Sequence, residues 1–432
     1  MVNESVKQQY QLPTGARNYV FILLFLLYFF DYTDRMVVSS LLPFIQKDWG
    51  INDQEGALLL SAVSWAILVF TFPISILIDR WSRRKTVGIM ALFWSLATAA
   101  CALMPNFKAL LSTRALIGVG EAGYAPGGTA ILSGLYPEEK RARMMGIWNA
   151  SIPLGSALGI ALGGVIATYL GWRHAFGLVA IPGFLVGILF FFVKDYKTVA
   201  LTRNTEGAVN GPLKSRPSFS EIAGKIARTP TLYFTYFGFA MMVFVTASMM
   251  MFLPTFFARV WGVAPARAGL MASAVMVLAV IGAPLGGYLA DLWLKRRKNA
   301  RLLFCSISAI VSAVLLFISM YLTSGTAQYI VLLLLGISIT SFIPGVSAAM
   351  QDIVHPGLRA ITFAIAIIVQ HLLGTALGPI VTGTISDAYG IHTAFMILPA
   401  FLIAAAVIFF IGSFFFNKDY DRVEIVELLL EK

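Results

Sequence analysis

Apolar residues run along this chain in long unbroken blocks, without the strict alternation of a half-buried strand or the narrow stripe of a surface helix. Twelve blocks reach the length of about 20 residues that an α-helix needs to cross a bilayer. They fall at 19–43, 56–78, 86–103, 108–133, 144–168, 174–193, 231–258, 267–292, 301–322, 327–350, 360–384 and 392–416, and are numbered helices 1 to 12 in that order. The longest polar interruption, 194–229, reads KDYKTVALTRNTEGAVNGPLKSRPSFSEIAGKIART and separates six blocks from six. Pro, Gly, Ser and basic residues make it a linker. The pattern predicts an N-terminal six-helix bundle over 1–193, a cytoplasmic linker over 194–229 and a C-terminal six-helix bundle over 230–432. SEIAGKIA within the linker and DRVEIVELLLEK at the C-terminus are short enough and amphipathic enough to form surface helices.

Internal repetition supports two equivalent halves. SILIDRWSRRK after helix 2, with Asp79, Arg80, Arg83 and Arg84, is matched after helix 8 by GYLADLWLKRR, with Asp291, at an offset of 212. GWRHAF at 171–176 is matched by GIHTAF at 390–395, at an offset of 219. The fold class expected is an all-α integral membrane protein, twelve transmembrane helices in two pseudo-symmetric six-helix bundles.

Composition agrees, with 58% hydrophobic residues, 12% charged residues and a mean hydropathy of +0.81 that a soluble surface does not tolerate. A net charge of +11 raises the question of nucleic acid, and its placement answers it. Of 32 Lys and Arg, 25 lie in the termini and even-numbered loops and five in the odd-numbered loops. That asymmetry is a topology signal and puts both termini in the cytoplasm. The expectation is therefore a multi-pass cell-membrane protein that binds no nucleic acid and works as a monomer. Cys101 and Cys305 sit in separate apolar helices, so neither a disulfide framework nor a metal site is indicated. No HExxH, nucleophile elbow or grouped Cys and His appears, which argues against an enzyme and against any cofactor. The first apolar run lacks a small-residue cleavage site and reads as a retained helix.

Six ionisable residues lie inside the blocks: Asp31, Asp34, Arg35, Arg114, Glu121 and His371. A charge at bilayer depth costs about 2.5 kcal/mol or more, so each is expected to face a partner or a watery cavity. Asp31, Asp34 and Arg35 are spaced i, i+3, i+4, which puts them on one helix face and lets Asp31 pair with Arg35. Arg114 and Glu121 share a face of helix 4 but stand two turns apart, roughly 10.5 Å, too far to pair. Depth along the helices predicts Glu121 level with Asp31 and Arg114 approaching Asp34. A carboxylate there, with an Arg that changes partners, is a plausible proton carrier; Asp34 and Glu121, with Asp31 as a third, are the candidates. The competing reading is a permanent ion pair that fixes helix packing. For Arg114 packing is as good a reading as substrate contact, and for His371 a hydrogen-bonded core residue stands beside a donor to an anionic headgroup. At the loops, Asp79, Arg80, Arg83, Arg84 and Asp291 are expected to hold one conformer by bonding to neighbouring helix ends, as a gate.

The DRxxRR run after helix 2, its partial repeat after helix 8 and RALIGVGEAGYAPGG in helix 4 resemble the signatures of the major facilitator superfamily over essentially the whole chain. That family has Gly where Ser75 stands here. The resemblance implies a transporter that alternates between inward-open and outward-open states around a central cavity. YTDR in helix 1, GVGEAGY in helix 4, IPLGSALG in helix 5 and VQHLLGTALGPIVTGTISD in helix 11 further resemble the spinster-type branch, associated with lysophospholipid and sphingosine phosphate movement. That resemblance marks Asp34, Arg35 and Glu121 as the charged core and His371 as part of the helix 11 signature. The chain departs from the pattern at Asp31, where an Asn-like residue is expected, and at Thr375, where an Asp often stands. The function expected is proton-coupled transport of an amphiphilic anion such as a lysophospholipid, with helix 7 (FGFAMMVFVTASMMMFLPTFF) offering Met and Phe to an acyl tail or simply to packing. Proton-coupled symport of sugar acids or aromatic acids is the alternative, and a non-transporting receptor or sensor on the same scaffold is a reading of another class.

Overall fold

A computed structural model describes residues 13–80, 83–136, 138–193, 228–354 and 359–423. The linker through residue 227, with its SEIAGKIA segment, and the tail from 424 lie outside the described residues. All regular structure among the described residues is helical. Helices 1, 2, 3, 6, 7, 8 and 12 are each one rod: Thr14–Trp49, Asp53–Arg80, Arg83–Cys101, Trp172–Phe190, Pro230–Val260, Pro265–Leu294 and Ile391–Tyr420.

The other five are jointed. Helix 4 breaks into Phe107–Glu121 and Tyr124–Leu135, helix 5 into Glu138–Asn149 and Ser151–Leu170, and helix 10 into Gly325–Ser338 and Phe342–Asp352. Helix 9 runs from Ala300–Phe317 into the wide turn Ile318–Leu322. Helix 11 runs Arg359–Val369, widens over Gln370–Ala376 and resumes as Leu377–Tyr389. Two joints fall at residues singled out by charge, Glu121 in helix 4 and His371 in helix 11. Wide π-type turns are frequent at functional sites because they displace a side chain from the helical register.

Among the described residues nine helices are long and apolar enough to cross a bilayer by themselves; helices 1 and 4, which carry the buried charges, and helix 3 are not among them. Helix 1 begins and helix 12 ends on one side of the bundle, called here the terminal face; the opposite side is the far face. The outer surface is apolar, with Phe72, Phe192, Leu322 and Phe414 all exposed, which suits hydrocarbon and not water.

Small residues let the helices approach closely enough for backbone to touch backbone. Gly155, Gly159 and Gly163 form one ridge of helix 5 against helix 1. A methyl group added to them would come within 2.1 Å of Phe29 O, 2.3 Å of Thr33 O and 2.8 Å of Val37 O. Thr33 fastens the same seam by donating to Gly155 O at 3.2 Å. The sequence repeat also has a backbone counterpart. Gly171 (φ 91°, ψ 155°) opens helix 6 and Gly390 (φ 86°, ψ 154°) opens helix 12, both in a region essentially restricted to glycine.

Candidate functional site

Helices 1 and 4 bring their charges together inside the N-terminal half. Arg35 Nη2 bonds Glu121 Oε2 at 2.5 Å and lies 3.5 Å from Asp31 Oδ2, so one guanidinium bridges two carboxylates. The Tyr32 ring lies 4.6 Å from the Arg35 guanidinium carbon and covers its face. All three charged side chains are nearly enclosed. His371, in the wide turn of helix 11, is within electrostatic reach of Arg35. Four buried polar atoms of this group have no hydrogen-bond partner: Asp31 Oδ1, Arg35 Nε, Glu121 Oε1 and His371 Nδ1. Each such atom costs about 1–3 kcal/mol until something bonds it.

Arg114 has a different task. It is fully buried and donates from Nε to Leu59 O at 3.0 Å, from Nη1 to Asp34 O at 3.2 Å and from Nη2 to Arg35 O at 2.9 Å. Its approach to Asp34 is thus to the backbone carbonyl and not to the carboxylate. A guanidinium that bonds three carbonyls of helices 1 and 2 splices those helices to helix 4. The carboxylate of Asp34 does not join the Arg35 group despite the i, i+3, i+4 spacing. It turns towards helices 3 and 6, and neither oxygen has a hydrogen-bond partner. One turn's spacing places residues on neighbouring sides; the rotamers then send Asp31 and Arg35 to helix 4 and Asp34 away from it.

At the loops, the side chains of Asp79, Arg80 and Arg83 lie outside the described residues. Arg84 donates to Val193 O at 2.7 Å, tying the start of helix 3 to the end of helix 6 within one half. Asp291 pairs with Arg301 at 2.9 Å, and Arg301 also holds Asp352 at 2.5 Å, joining helices 8, 9 and 10. In helix 7, Met242, Met249 and Met251 are core residues packed with Phe244, Phe252 and Phe256.

Sequence reasoning missed the cluster that joins the halves at the far face. Arg259, in the last turn of helix 7, forks onto Asp53 with Nη1 to Oδ2 and Nη2 to Oδ1, both at 2.7 Å, and Nη2 also meets Gln46 Oε1 at 2.7 Å. Gln46 Nε2 donates to Asp53 Oδ1 at 2.6 Å, and Ser386 donates to Asp53 Oδ2. Asp387 reaches across to the start of helix 2 and accepts from Asp53 N at 2.7 Å and Gln54 N at 2.9 Å. The third amide, Glu55 N, is taken by Asn52 Oδ1 at 2.7 Å while Glu55 returns a bond to Asn52 N, a capping box. The first three amides of helix 2 are therefore satisfied, two of them by the other half. Further in, Ser61 donates to Ala376 O at 2.7 Å and Gly164 of helix 5 meets Pro265 and Gly269 of helix 8. The signals were present as an acid in a first turn, a base in a last turn and the Ser386–Asp387 end of helix 11, but nothing in the sequence pairs them across 333 residues.

A two-half helical bundle joined at one face, with ionisable groups at mid-depth, matches proteins of known kind. The model of the Major Facilitator Superfamily matches residues 24–374. Protein spinster homolog 1 of Xenopus laevis is 28% identical over 438 aligned positions, covering 94% of this chain and 82% of the relative. The Homo sapiens protein of the same name is 29% identical, covering 83% of this chain and 70% of its own. The hexuronate transporter of Bacillus subtilis (strain 168) is 26% identical, covering 90% and 92%. In fold, the chain superposes with a TM-score of 0.83, at 21% identity over 94% of its length and 99% of the other, on the crystal structure of a bacterial homolog of the human lysosomal transporter spinster in an inward-facing, unoccupied conformation. With a family model spanning most of the chain and the twelve-helix fold to go with it, this protein belongs to the major facilitator superfamily and resembles its spinster-type members.

Proposed function

We propose that the protein is a secondary active transporter that moves an amphiphilic anion, a lysophospholipid or a related lipid, by alternating access coupled to protons. The observation that carries the reading is the Arg35 group: a bridging guanidinium, two carboxylates and His371 from the other half, with four buried polar atoms awaiting partners. An anionic headgroup that takes Arg35 frees Glu121 or Asp31, and a proton then compensates the freed carboxylate. Charge counting supports the proton. Asp31, Asp34, Glu121, Arg35 and Arg114 are all buried, so the set holds three carboxylates against two guanidiniums and one proton balances it. The resemblance to the spinster-type branch, associated with lysophospholipid movement, favours the lipid class. The hexuronate transporter of Bacillus subtilis favours the second reading, symport of a small sugar acid.

In this proposal residues 1–193 and 230–432 rock as two bundles about the central site, with the linker between them. The terminal face is cytoplasmic, following the Lys and Arg asymmetry, and the bonds at the far face then make this the inward-facing state. The protein acts as a monomer in the cell membrane and has no catalytic role. Asp79, Arg80 and Arg83 serve as the conformational gate at the terminal face, whereas Arg84 and Asp291, whose bonds stay within one half, brace it.

Proteoliposomes under an imposed pH gradient test the coupling, with lysophosphatidylglycerol, glucuronate and benzoate as probes. Gradient-driven uptake of the lysolipid, lost in Asp34→Asn or Glu121→Gln, is expected. Uptake independent of the gradient removes proton coupling. Uptake of the small acids alone replaces the lipid reading with the second one.

A further inference from the structure

Behind the Arg35 group, on the side of helix 1 that faces helices 3 and 6, lies a second set of buried polar atoms that the reading above does not use. Trp94, Ser95 and Thr98 occupy successive and one-turn positions on helix 3 and are at most 1% exposed, as is Asp34. Trp94 Nε1, Ser95 Oγ, Thr98 Oγ1 and both Asp34 carboxylate oxygens lack hydrogen-bond partners. The Thr98 hydroxyl stands beside the Asp34 carboxylate but outside bonding geometry. Gly183 of helix 6 supplies the floor. A methyl carbon on it would stand 2.8 Å from Ser95 Oγ, closer than a carbon normally comes, 3.7 Å from Trp94 Nε1 and 3.8 Å from Asp34 Oδ2, so three of the unpartnered atoms converge beside this glycine and a side chain there would crowd them.

Five unpartnered polar atoms from two helices are too costly to be an accident of packing, at about 1–3 kcal/mol each. Their chemistry selects the ligand. A buried water requires two to four polar partners, and here it finds an indole N–H donor, two hydroxyls that both donate and accept, and a carboxylate acceptor. A metal cation is disfavoured because the indole donates and cannot coordinate, and because the Arg114 guanidinium sits against the Asp34 carbonyl at 3.2 Å.

We propose that Trp94, Ser95, Thr98 and Gly183 form a buried water site that serves the Asp34 carboxylate from behind helix 1. The site rests on the proton-coupled reading for its purpose and on geometry alone for its existence. It gives Asp34 a hydrogen-bonding partner that does not depend on substrate, while Arg35 and Glu121 answer to the headgroup. A proton held by Asp34 then lies on the other side of helix 1 from the substrate and from a proton on Glu121 or Asp31, and the two sides communicate through that helix. The charged and titratable groups around Asp34 are Arg114 and Glu121 from helix 4, Cys101 from helix 3, and Asp31 and Arg35 from its own helix. Trp94, Ser95, Thr98 and Gly183 are positioning residues in this scheme, because they act through Asp34.

Infrared difference spectroscopy on the purified full chain in lipid nanodiscs tests the site without any substrate. At fixed pH, the O–H stretch of a weakly bonded buried water, identified by its shift in oxygen-18 water, is expected in the unmodified protein and absent from Gly183→Ala and from Ser95→Ala with Thr98→Val. Gly177→Ala, where a methyl meets nothing within 4 Å, serves as the packing control and retains the band. In a pH titration the protonated-carboxyl band that disappears in Asp34→Asn is expected to move its midpoint by about one pH unit in the same variants, a tenfold change in proton affinity. Trp94→Phe, close in volume, repeats the measurement if the double variant misfolds. A water band unaffected by every one of these substitutions overturns the site. A band that responds to sodium but not to choline at equal ionic strength overturns it in favour of a cation. If the water band behaves as expected but Asp34 does not titrate, the water site stands and the coupling role given to Asp34 in the proposed function fails.

Discussion

The far-face cluster makes a quantitative prediction for Asp53→Asn. Asp53 is nearly enclosed and its carboxylate accepts from both Arg259 nitrogens, from Gln46 and from Ser386. An amide keeps one acceptor oxygen and turns an NH2 donor towards donors, so at least two of these bonds go, including one from Arg259. Hydrogen bonds to charged groups contribute about 1.5–3 kcal/mol each. The Arg259 side chain is 41% exposed, so water screens its share, and the net loss is set at about 2 kcal/mol. Because the bonds join helices 1 and 2 to helices 7 and 11, that loss falls on the far-face-closed state and not on either half alone. About 2 kcal/mol shifts a two-state equilibrium by about thirtyfold.

The native cysteines simplify the assay, since Cys101 and Cys305 are both buried. Ser39 of helix 1 is fully buried against Met251 of helix 7, with 3.8 Å between Oγ and Sδ, below the far-face cluster. A Ser39→Cys protein labelled by a membrane-impermeant maleimide from the far side reports how often that face opens. The expected result is slow labelling in the parent and a rate raised by up to about thirtyfold in Asp53→Asn, as long as the open state stays the minority. Arg259→Gln should raise it comparably, and the double variant should add little because both remove the same bonds. A labelling rate unchanged within about threefold in both single variants would refute the claim that these bonds bias the conformational equilibrium.

Three further outcomes follow from the packing and the site. Gly159→Leu puts carbon where Thr33 O lies 2.3 Å away, so helices 1 and 5 must part at a cost of about 3 kcal/mol; thermal unfolding in detergent should fall by several degrees, whereas Gly177→Ala should leave it unchanged or slightly higher. Arg114→Lys replaces a fork by a point donor and loses at least one carbonyl bond, worth about 1.5 kcal/mol or more. Its melting temperature should drop while folded molecules retain transport. Arg35→Lys should show the reverse split, near-normal stability with uptake lost, and the two arginines exchanging these phenotypes would show that their roles are misassigned. Glu121→Gln removes the carboxylate charge that competes with substrate for Arg35, so lysophosphatidylglycerol or glucuronate should shift the melting temperature at least as far as in the parent, read by differential scanning fluorimetry, while gradient-driven uptake is lost.

Much of the fold was legible because membrane physics writes it in composition. A span needs about 20 apolar residues, and each predicted block contains or adjoins a described helix. The repeat of Gly171 in Gly390 proved to be a repeat of backbone angles, which only glycine adopts. The charged positions were equally legible, since an ionisable residue in an apolar block is rare for energetic reasons. Their pairing was not. Spacing along helix 1 put Asp34 with Asp31 and Arg35, but the direction of its side chain is decided by Gly183 and Ser95 on other helices. Arg114 was legible as a charge, and not as a donor to carbonyls, because backbone acceptors leave no mark in a sequence. The far-face cluster was invisible for the same reason that makes it informative: its members sit at ordinary helix ends, and only the folded chain brings Asp53, Arg259 and Asp387 together.

The position of these clusters bears on how the halves move. The described brace at the terminal face joins helices 8, 9 and 10 through Arg301, within one half. Arg84 likewise ties helix 3 to helix 6 within the other. Neither crosses between halves, so neither has to break when the halves rock; they stiffen each bundle instead. The far-face bonds do cross, and they use groups that water can satisfy once they separate: an exposed guanidinium, a carboxylate and two helix-end amides. Opening there exchanges hydrogen bonds for hydrated ones, at a cost of a few kcal/mol and not tens. The buried Arg35 group has no such exchange, because its carboxylates lie too deep. In the proposed mechanism a ligand or a proton replaces what Arg35 releases, and that requirement couples the site to the motion.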